Sequence, residues 1–273
     1  MSRLSLAEMF AVFTRLNRLS NLVLATCVLS LGLSSACAST VPPSRLGEYV
    51  GPQVMSEAMA PAPLPERGGR AGLVLIADTT APDAAPALPD EALNQMAERL
   101  QEQFGQFLPI RIDKIVPAEG VHAGGDGAQF AALGKKHGLD YLVVAVASGT
   151  EVEYPITVFL MWTTHAQPGL RRDNWSLVET ALIDVKTGQS LLHAEGRGWA
   201  TLDRPTAPGI NQWYPVIWKR PLEPNWRWWP PSYEGAPHTL RIIAMQEAVK
   251  RLVPNLQDAW FRKRQAEMAA LGG

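Results

Sequence analysis

The sequence predicts one α/β domain of the α+β kind, built in three layers on a mixed β-sheet of about five strands. Two observations carry this prediction. Buried-strand segments alternate with amphipathic helical segments between residues 72 and 148, giving the order β-α-β-α-β of a sheet covered by helices. Two further strand segments joined by a glycine turn follow at residues 175–201, and a long helical segment closes the chain.

The first half of the domain supplies three strands and two helices. Residues 72–77 are a continuous apolar run, which is typical of a buried central strand. Apolar residues recur at helical spacing over residues 93–104, and a short alternating strand follows at residues 110–116. Residues 129–137 form a short helix that a glycine ends, and residues 142–148 form a second buried strand.

The second half is richer in β-forming residues. Residues 156–163 are aromatic and β-branched, residues 166–174 form a polar loop, and residues 175–185 form a strand with apolar residues on both faces. A Lys-Thr-Gly turn leads to a strand at residues 190–201. One face of that strand carries Leu192, Ala194, Gly196, Gly198 and Ala200. Because most of these residues are small, we expect a helix to lie close against this face.

The chain then divides into an aromatic segment and a helix. Residues 205–238 show no helical or strand period and interleave tryptophan and tyrosine with proline, which predicts an insertion after the α/β domain at residues 72–204. Residues 239–273 form the predicted C-terminal helix, which packs on the domain. Pro254 should kink or split this helix near its middle.

Residues 1–36 have the pattern of a secretory signal peptide. Arg15 and Arg18 precede an apolar run, and small residues close it immediately before Cys37. The run is shorter than the roughly 20 apolar residues of a membrane-spanning helix. The small residues 34–36 resemble the lipobox of bacterial lipoproteins, although a lipobox usually begins with leucine. The resemblance implies that Cys37 receives lipid and anchors the mature protein in the outer membrane, on its periplasmic side.

Ordinary secretion is the alternative at this position. Ala36-Cys37-Ala38 also fits the rule for cleavage by signal peptidase, which would leave a soluble periplasmic protein. Lipidation is favoured because Cys37 would otherwise be the only cysteine of the mature region or be lost with the signal. Ala38 directly after the cysteine fits outer-membrane sorting. Met9 remains an alternative start, and Cys27 follows a poorer lipobox.

Residues 37–71 are rich in proline, alanine, glycine and serine, and they show no helical or strand period. This composition predicts an extended tether between the lipid and the domain. A plain disordered N-terminus has the same composition.

Composition argues against several kinds of partner and site. The formal charge is −1 for the whole chain, and the basic leader carries +2, so the mature part is near −3. Nucleic acid is therefore not an expected partner. Both cysteines, Cys27 and Cys37, lie in or at the edge of the signal, so the domain has no disulfide, cysteine zinc site or thiol nucleophile. We predict no cofactor and no metal.

Three segments in this order resemble a family of envelope lipoproteins. They are GLVLIADTT at residues 72–80, GLDYLVVAVASG at 138–149 and ALIDVKTGQSLLHAEGRG at 181–198. Together with the lipobox-like cysteine they are similar to the curli-secretion (CsgG) and TolB amino-terminal-domain group of α/β lipoproteins. The resemblance covers residues 73–201 and the terminal helix, whereas the aromatic segment departs from it. It implies an envelope protein that binds partners and has no catalytic apparatus.

The aromatic segment is the candidate binding site. Tryptophan and tyrosine dominate interaction hot spots, and proline lowers the entropic cost of ordering a loop. We hypothesise that residues 213–233 contact a partner protein, a glycan or a membrane surface. The alternative is that the segment covers the sheet and its tryptophans belong to the core. The candidate residues are Trp213, Trp218, Trp226, Trp228, Trp229 and Tyr233.

No catalytic motif accompanies these aromatic residues. The histidines lack H-E-x-x-H spacing, no G-x-S-x-G elbow is present, and the acids show no telling arrangement. The favoured function is a non-catalytic, lipid-anchored module that assembles with itself or with another envelope protein. The alternative is a secreted periplasmic hydrolase or glycan-binding protein that uses the tryptophans as a sugar platform, for instance for peptidoglycan. The acids open to a hydrolase are Asp78, Asp173, Asp184 and Glu195.

Overall fold

The computed structural model describes residues 41–51, 63–65, 69–159, 166–206, 215–220 and 227–271. These residues form seven strands and four helices. The strands are β1 (Arg70–Asp78), β2 (Arg111–Ile115), β3 (Tyr141–Phe159), β4 (Ala166–Asp184), β5 (Ser190–Pro205), β6 (Val216–Arg220) and β7 (Arg227–Trp228). The helices are α1 (Leu46–Val50), α2 (Asp90–Phe107), α3 (Gly127–Lys136) and α4 (Ala236–Leu271).

All seven strands belong to one mixed sheet in the order β2-β1-β3-β4-β5-β6-β7. β1 pairs in parallel with β2 and β3, whereas each of the later pairs is antiparallel. The α/β class is therefore confirmed, with seven strands in place of about five. The two extra strands, β6 and β7, come from the aromatic segment, for which the sequence predicted no secondary structure.

Helices cover both faces of the sheet, which makes three layers. Phe104 of α2 and Leu252 of α4 belong to one buried cluster together with Val143 of β3. Phe130 of α3 belongs to a second cluster that includes Val144 and the apolar residues of α1. Because consecutive strand residues point to opposite faces, α2 and α4 lie on one side of the sheet and α1 and α3 on the other.

The close contact between β5 and a helix is confirmed, and the helix is α4. A Cβ atom built on Gly198 would lie 2.0 Å from the carbonyl oxygen of Ala244, and one built on Gly196 would lie 2.1 Å from that of Ala248. Only glycine therefore lets the helix backbone approach the strand this closely. α4 runs without interruption through Pro254, which lies on its exposed side, so the proline does not split the helix.

The polar loop predicted at residues 166–174 is instead the first half of β4. Its charged side chains pair across the sheet: Arg171 donates to Asp203 of β5, and Arg172 donates to Glu153 of β3. Such cross-strand pairs stabilise a strand without any apolar alternation. The aromatic strand predicted at residues 156–163 is the end of β3 as far as Phe159, and residues 160–165 lie outside the described part of the chain.

The tether predicted at residues 37–71 is wrong for residues 41–51, which we call the strap. The strap contains α1, and Leu46, Tyr49 and Val50 are buried in the same cluster as Phe130. A helix of five residues is too short to show a period in the sequence, which is why composition alone suggested an extended chain. Leu64 is also buried, at 2% exposure.

Gly198→Ala should lower the free energy of unfolding by roughly 1–3 kcal/mol, because its methyl group would meet the backbone of α4, which cannot move aside like a side chain. Gly105→Ala is the matched control. It lies in α2 with no atom within 4 Å of its Cβ position, so alanine should leave stability unchanged or raise it by about 0.5–1 kcal/mol. Urea unfolding of both variants measures the difference. Equal effects would contradict the close contact.

Candidate functional site

The aromatic candidates from the sequence fall into two places. Trp228, Trp229 and Tyr233 are 48%, 57% and 37% exposed, so their side chains do not belong to the core. Trp218 of β6 is half-buried, and its Nε1–H donates to Asp203 Oδ2 at 2.8 Å. The remaining candidates, Trp213, Trp226 and the predicted lipidation site Cys37, lie outside the described residues.

We call Trp228, Trp229 and Tyr233 the aromatic edge. They lie in and after β7, which is the last strand of the sheet and pairs only with β6 among the strands described. An outer strand leaves backbone groups that can pair with another chain, and here it is only two residues long. Prolines at 230 and 231 follow, and proline limits further strand pairing. Another chain would therefore contact this edge mainly through the exposed aromatic side chains.

A second aromatic surface, not predicted from the sequence, lies on the side of the sheet that carries α1. Trp175 and Trp199 are directly opposite each other in β4 and β5, and their rings stack with centroids 5.6 Å apart. Arg220 is the next residue across, in β6, with its guanidinium carbon 5.9 Å from the Trp199 ring centroid. The surface, which we call the aromatic face, consists of Val152, Tyr154, Trp175, Trp199, Trp218 and Arg220.

Polar groups between these rings hold them in place. Tyr154 donates to Asp173 Oδ2 at 2.7 Å, and Thr201 donates to Asp173 Oδ1 at 2.6 Å. Arg171 makes two parallel hydrogen bonds to Asp203, at 2.7 and 2.8 Å. Burial and the hydrogen bond to Asp173 raise the pKa of Tyr154, so its hydroxyl stays protonated and remains a donor.

The strap is held to the sheet by a buried carboxylate. Glu179 of β4 is 1% exposed. Its Oε2 accepts hydrogen bonds from the backbone N–H groups of Arg45 at 2.6 Å and Leu46 at 3.1 Å, and its Oε1 accepts one from the Ser44 hydroxyl. These bonds satisfy backbone donors at the start of α1, which would otherwise be buried without partners.

Asp78 holds the strap from β1. It is 3% exposed and accepts hydrogen bonds from Arg45 Nε at 2.8 Å and from both the backbone N–H and the hydroxyl of Thr80 at 2.7 Å. Burial alone would raise the pKa of Asp78. The hydrogen bonds from Thr80 and Arg45 outweigh it and hold the pKa below its ordinary value, so the carboxylate stays ionised. Asp78 therefore has a structural role at the end of β1.

The other acids considered for a hydrolase also have structural partners. Asp184 accepts hydrogen bonds from the backbone N–H of Lys186 and the hydroxyl of Thr187 in the hairpin turn. Glu195 pairs with Arg197 at 2.8 Å on the exposed side of β5. Within the described ranges, no group of three or more metal-binding side chains occurs, and no helix combines the length and apolar character needed to cross a bilayer.

No protein-family model and no curated protein matches this sequence. Among solved structures, one similar chain is described as a homologue of the neuraminyllactose-binding hemagglutinin from Helicobacter pylori. It is 6% identical with a TM-score of 0.39, and the match covers 75% of this chain and 97% of that one. Two crystal forms of the PelC dodecamer from Paraburkholderia phytofirmans are 14% and 12% identical, each with a TM-score of 0.25. Those matches cover 71% and 67% of this chain and 93% and 92% of theirs. All three likenesses are too low to carry an argument.

Glu179→Gln should weaken the hold on the strap, because the amide loses the negative charge and keeps one acceptor oxygen for the three donors that the carboxylate serves. We expect a loss of roughly 1–3 kcal/mol in unfolding free energy and faster hydrogen exchange at the amides of Arg45 and Leu46. Glu195→Gln, directly opposite in β5 but exposed, is the control and should leave both quantities unchanged. Unaltered exchange at both amides in Glu179→Gln would show that this carboxylate does not hold the strap.

Proposed function

We propose that this protein is a non-catalytic envelope lipoprotein that is anchored through Cys37 to the periplasmic face of the outer membrane and binds a partner protein through the aromatic edge. The observation that carries the proposal is the exposure of Trp228 and Trp229, both about half exposed, beside the last strand of the sheet. The resemblance of the sequence to the curli-secretion and TolB-like lipoproteins supports the same function.

The aromatic edge has the chemistry of a protein-binding surface. Tryptophan and tyrosine supply large contact areas with few rotatable bonds, and they are enriched at binding hot spots. Adjacent large aromatic side chains in water are costly for a monomer unless a partner covers them. The edge lies on a rigid support, because β7 is paired to β6 and the next element is the well-packed α4. A second copy of the chain and another envelope protein both fit this description.

Glycan binding is the alternative, since exposed tryptophan rings also stack on sugars. Hydrolysis of that glycan has less support, because all four candidate acids make structural contacts. Asp78 holds the strap, Asp173 is bonded by two hydroxyl groups, and Asp184 closes a turn. A glycosidase instead needs two carboxyl groups free to act on either side of a glycosidic bond.

Mass spectrometry of the mature N-terminus tests the anchor. We expect a diacylglyceryl-modified Cys37 as the first residue of protein extracted from the membrane fraction. Cys37→Ser should abolish the modification and shift the protein to the soluble fraction, whereas the control Cys27→Ser should change neither result, because that cysteine leaves with the signal peptide. A mature chain beginning at Ser39 would contradict lipidation and favour ordinary secretion.

Site-specific photo-crosslinking in intact cells tests the partner surface. A photoreactive amino acid in place of Trp229 should give a discrete protein adduct, and the same replacement at Phe261, an exposed aromatic residue of α4, should not. Trp228→Ala should weaken that adduct at least several-fold without lowering thermal stability, because the side chain is half exposed. An adduct of twice the protein's mass indicates self-assembly. Retention on isolated peptidoglycan without any protein adduct would overturn the protein-partner proposal in favour of the glycan.

A further inference from the structure

The aromatic face is separate from the aromatic edge, and we propose that it rests on the membrane surface, in the headgroup region of the bilayer that holds the lipid anchor. The occupant is a lipid surface. This inference rests on the proposed lipidation of Cys37. It adds an orientation of the domain, which a lipid on a long flexible tether would not give.

The strap shortens the connection to the membrane. Pro42 is buried, and Glu179 fixes the chain from Ser44 to Leu46. Only five residue steps separate Cys37 from Pro42, so an anchored chain reaches at most about 18 Å even when fully extended. The 37–71 tether predicted from the sequence would have reached about 120 Å on the same basis. The docking site of the strap is therefore confined to the neighbourhood of the bilayer.

The aromatic face lies on the same side of the sheet as that docking site. Glu179 and Trp175 are four residues apart in β4, so their side chains point to one side, about 13 Å apart along the strand. α2 and α4 cover the opposite side of the sheet. A short connection that begins on the strap therefore brings the aromatic face towards the bilayer, and it turns α2 and α4 away from it.

The exposed groups of this face suit a headgroup region. Val152, Tyr154 and Trp199 are 38%, 37% and 38% exposed, and tryptophan and tyrosine favour the boundary between hydrocarbon and water. Arg220 adds a positive charge over Trp199, and none of the described carboxylates pairs with it. Cations beside exposed aromatic groups attract anionic headgroups.

Negative charges on this face are compensated or covered. Asp203 is compensated by the paired hydrogen bonds from Arg171, and the strong hydrogen bond to Asp203 raises the pKa of Arg171, so the guanidinium stays charged. Asp173 is 5% exposed and bonded by two hydroxyl groups. Among the described residues of this face, every exposed carboxylate is therefore compensated and does not repel an anionic bilayer. Trp228 is paired with Ile217, on the α4 side of the sheet, so the aromatic edge remains accessible to a partner.

The test uses the lipidated protein in vesicles of phosphatidylethanolamine and phosphatidylglycerol. The mature chain has no cysteine besides the acylated one, so a single introduced cysteine can carry a fluorophore at one site. Val152→Cys and Trp199→Cys place it on the aromatic face, and Glu98→Cys places it on the exposed side of α2 as the control. Lipids carrying a quencher at the headgroup should remove more than about half of the emission at positions 152 and 199 and little at 98.

The other results overturn the inference. Equal quenching at all three positions would mean that the domain has no preferred orientation, and none at positions 152 and 199 would mean that this face does not touch lipid. A spectral shift without quenching that grows with protein density would assign the face to a second copy. Val152→Cys keeps the test valid if Trp199→Cys does not fold. The N-terminal mass of the same samples separates the two proposals: an unmodified chain overturns both, and a lipidated but unquenched chain overturns only this one.

Discussion

The long antiparallel ladder of β3, β4 and β5 is the constraint on which the rest of the structure depends. β3 and β4 are each 19 residues long and β5 has 16, whereas β1 pairs with β3 only as far as Ser148. Beyond that point the ladder continues without a parallel strand beside it. Helices cover one side of this extension and leave the other side open. α4 runs across one side, whereas α1 and α3 end short of the other, which becomes the aromatic face.

On the α4 side, an ion-pair network as well as apolar packing joins the helix to this extension. Glu151 of β3 accepts hydrogen bonds from Arg241 of α4 at 2.8 and 3.0 Å, and further bonds from Arg172 and Asn174 of β4. Arg241 is 8% exposed, so its charge requires this partner. The network fixes where α4 crosses the ladder, and Leu240 and Ala244 of the helix then pack with Ala200 and Leu202 of β5 in a third apolar cluster.

The elements predicted best from the sequence were those whose signal is local. The buried strands and the small-residue side of β5 follow from hydrophobicity and side-chain size, and they lie where expected. The Lys-Thr-Gly turn also follows, and Gly188 has the positive φ of 73° that glycine adopts readily. The first half of β4 and the strap were missed, because both depend on distant partners. Arg171 is stabilised in a strand by its pairing with Asp203 of β5. The first turn of α1 is stabilised by Glu179 of β4, which accepts its backbone hydrogen bonds.

The two aromatic surfaces show the same difference between local sequence signals and features that depend on distant parts of the chain. The high tryptophan content of their segment predicts Trp228 and Trp229 as binding residues. Their exposure, however, depends on β7 being the outer strand of the sheet. Trp175 and Trp199 are not predicted as a binding surface, because each is a single tryptophan in a strand-like sequence. Their pairing also depends on a one-residue shift in register between Leu182 and Ile183, because counting outward from the pair Ile183–Ser190 would place Trp175 opposite Gly198. A surface that depends on such a shift in register is visible only in the folded structure.

A buried strap would give the proposed N-terminal lipid anchor a second role besides attachment. A lipid on a long flexible chain fixes only the distance of a domain from the membrane, and every face can then meet the bilayer. Here Glu179 and Asp78 both hold the strap at Arg45, eight residues after Cys37, and Arg45 bonds to both carboxylates. The strap and the aromatic face share one side of the sheet, so the freedom of the domain to turn is restricted at the point where the anchor begins. In the proposed arrangement, the two carboxylates that fix the strap also direct the exposed rings towards lipid.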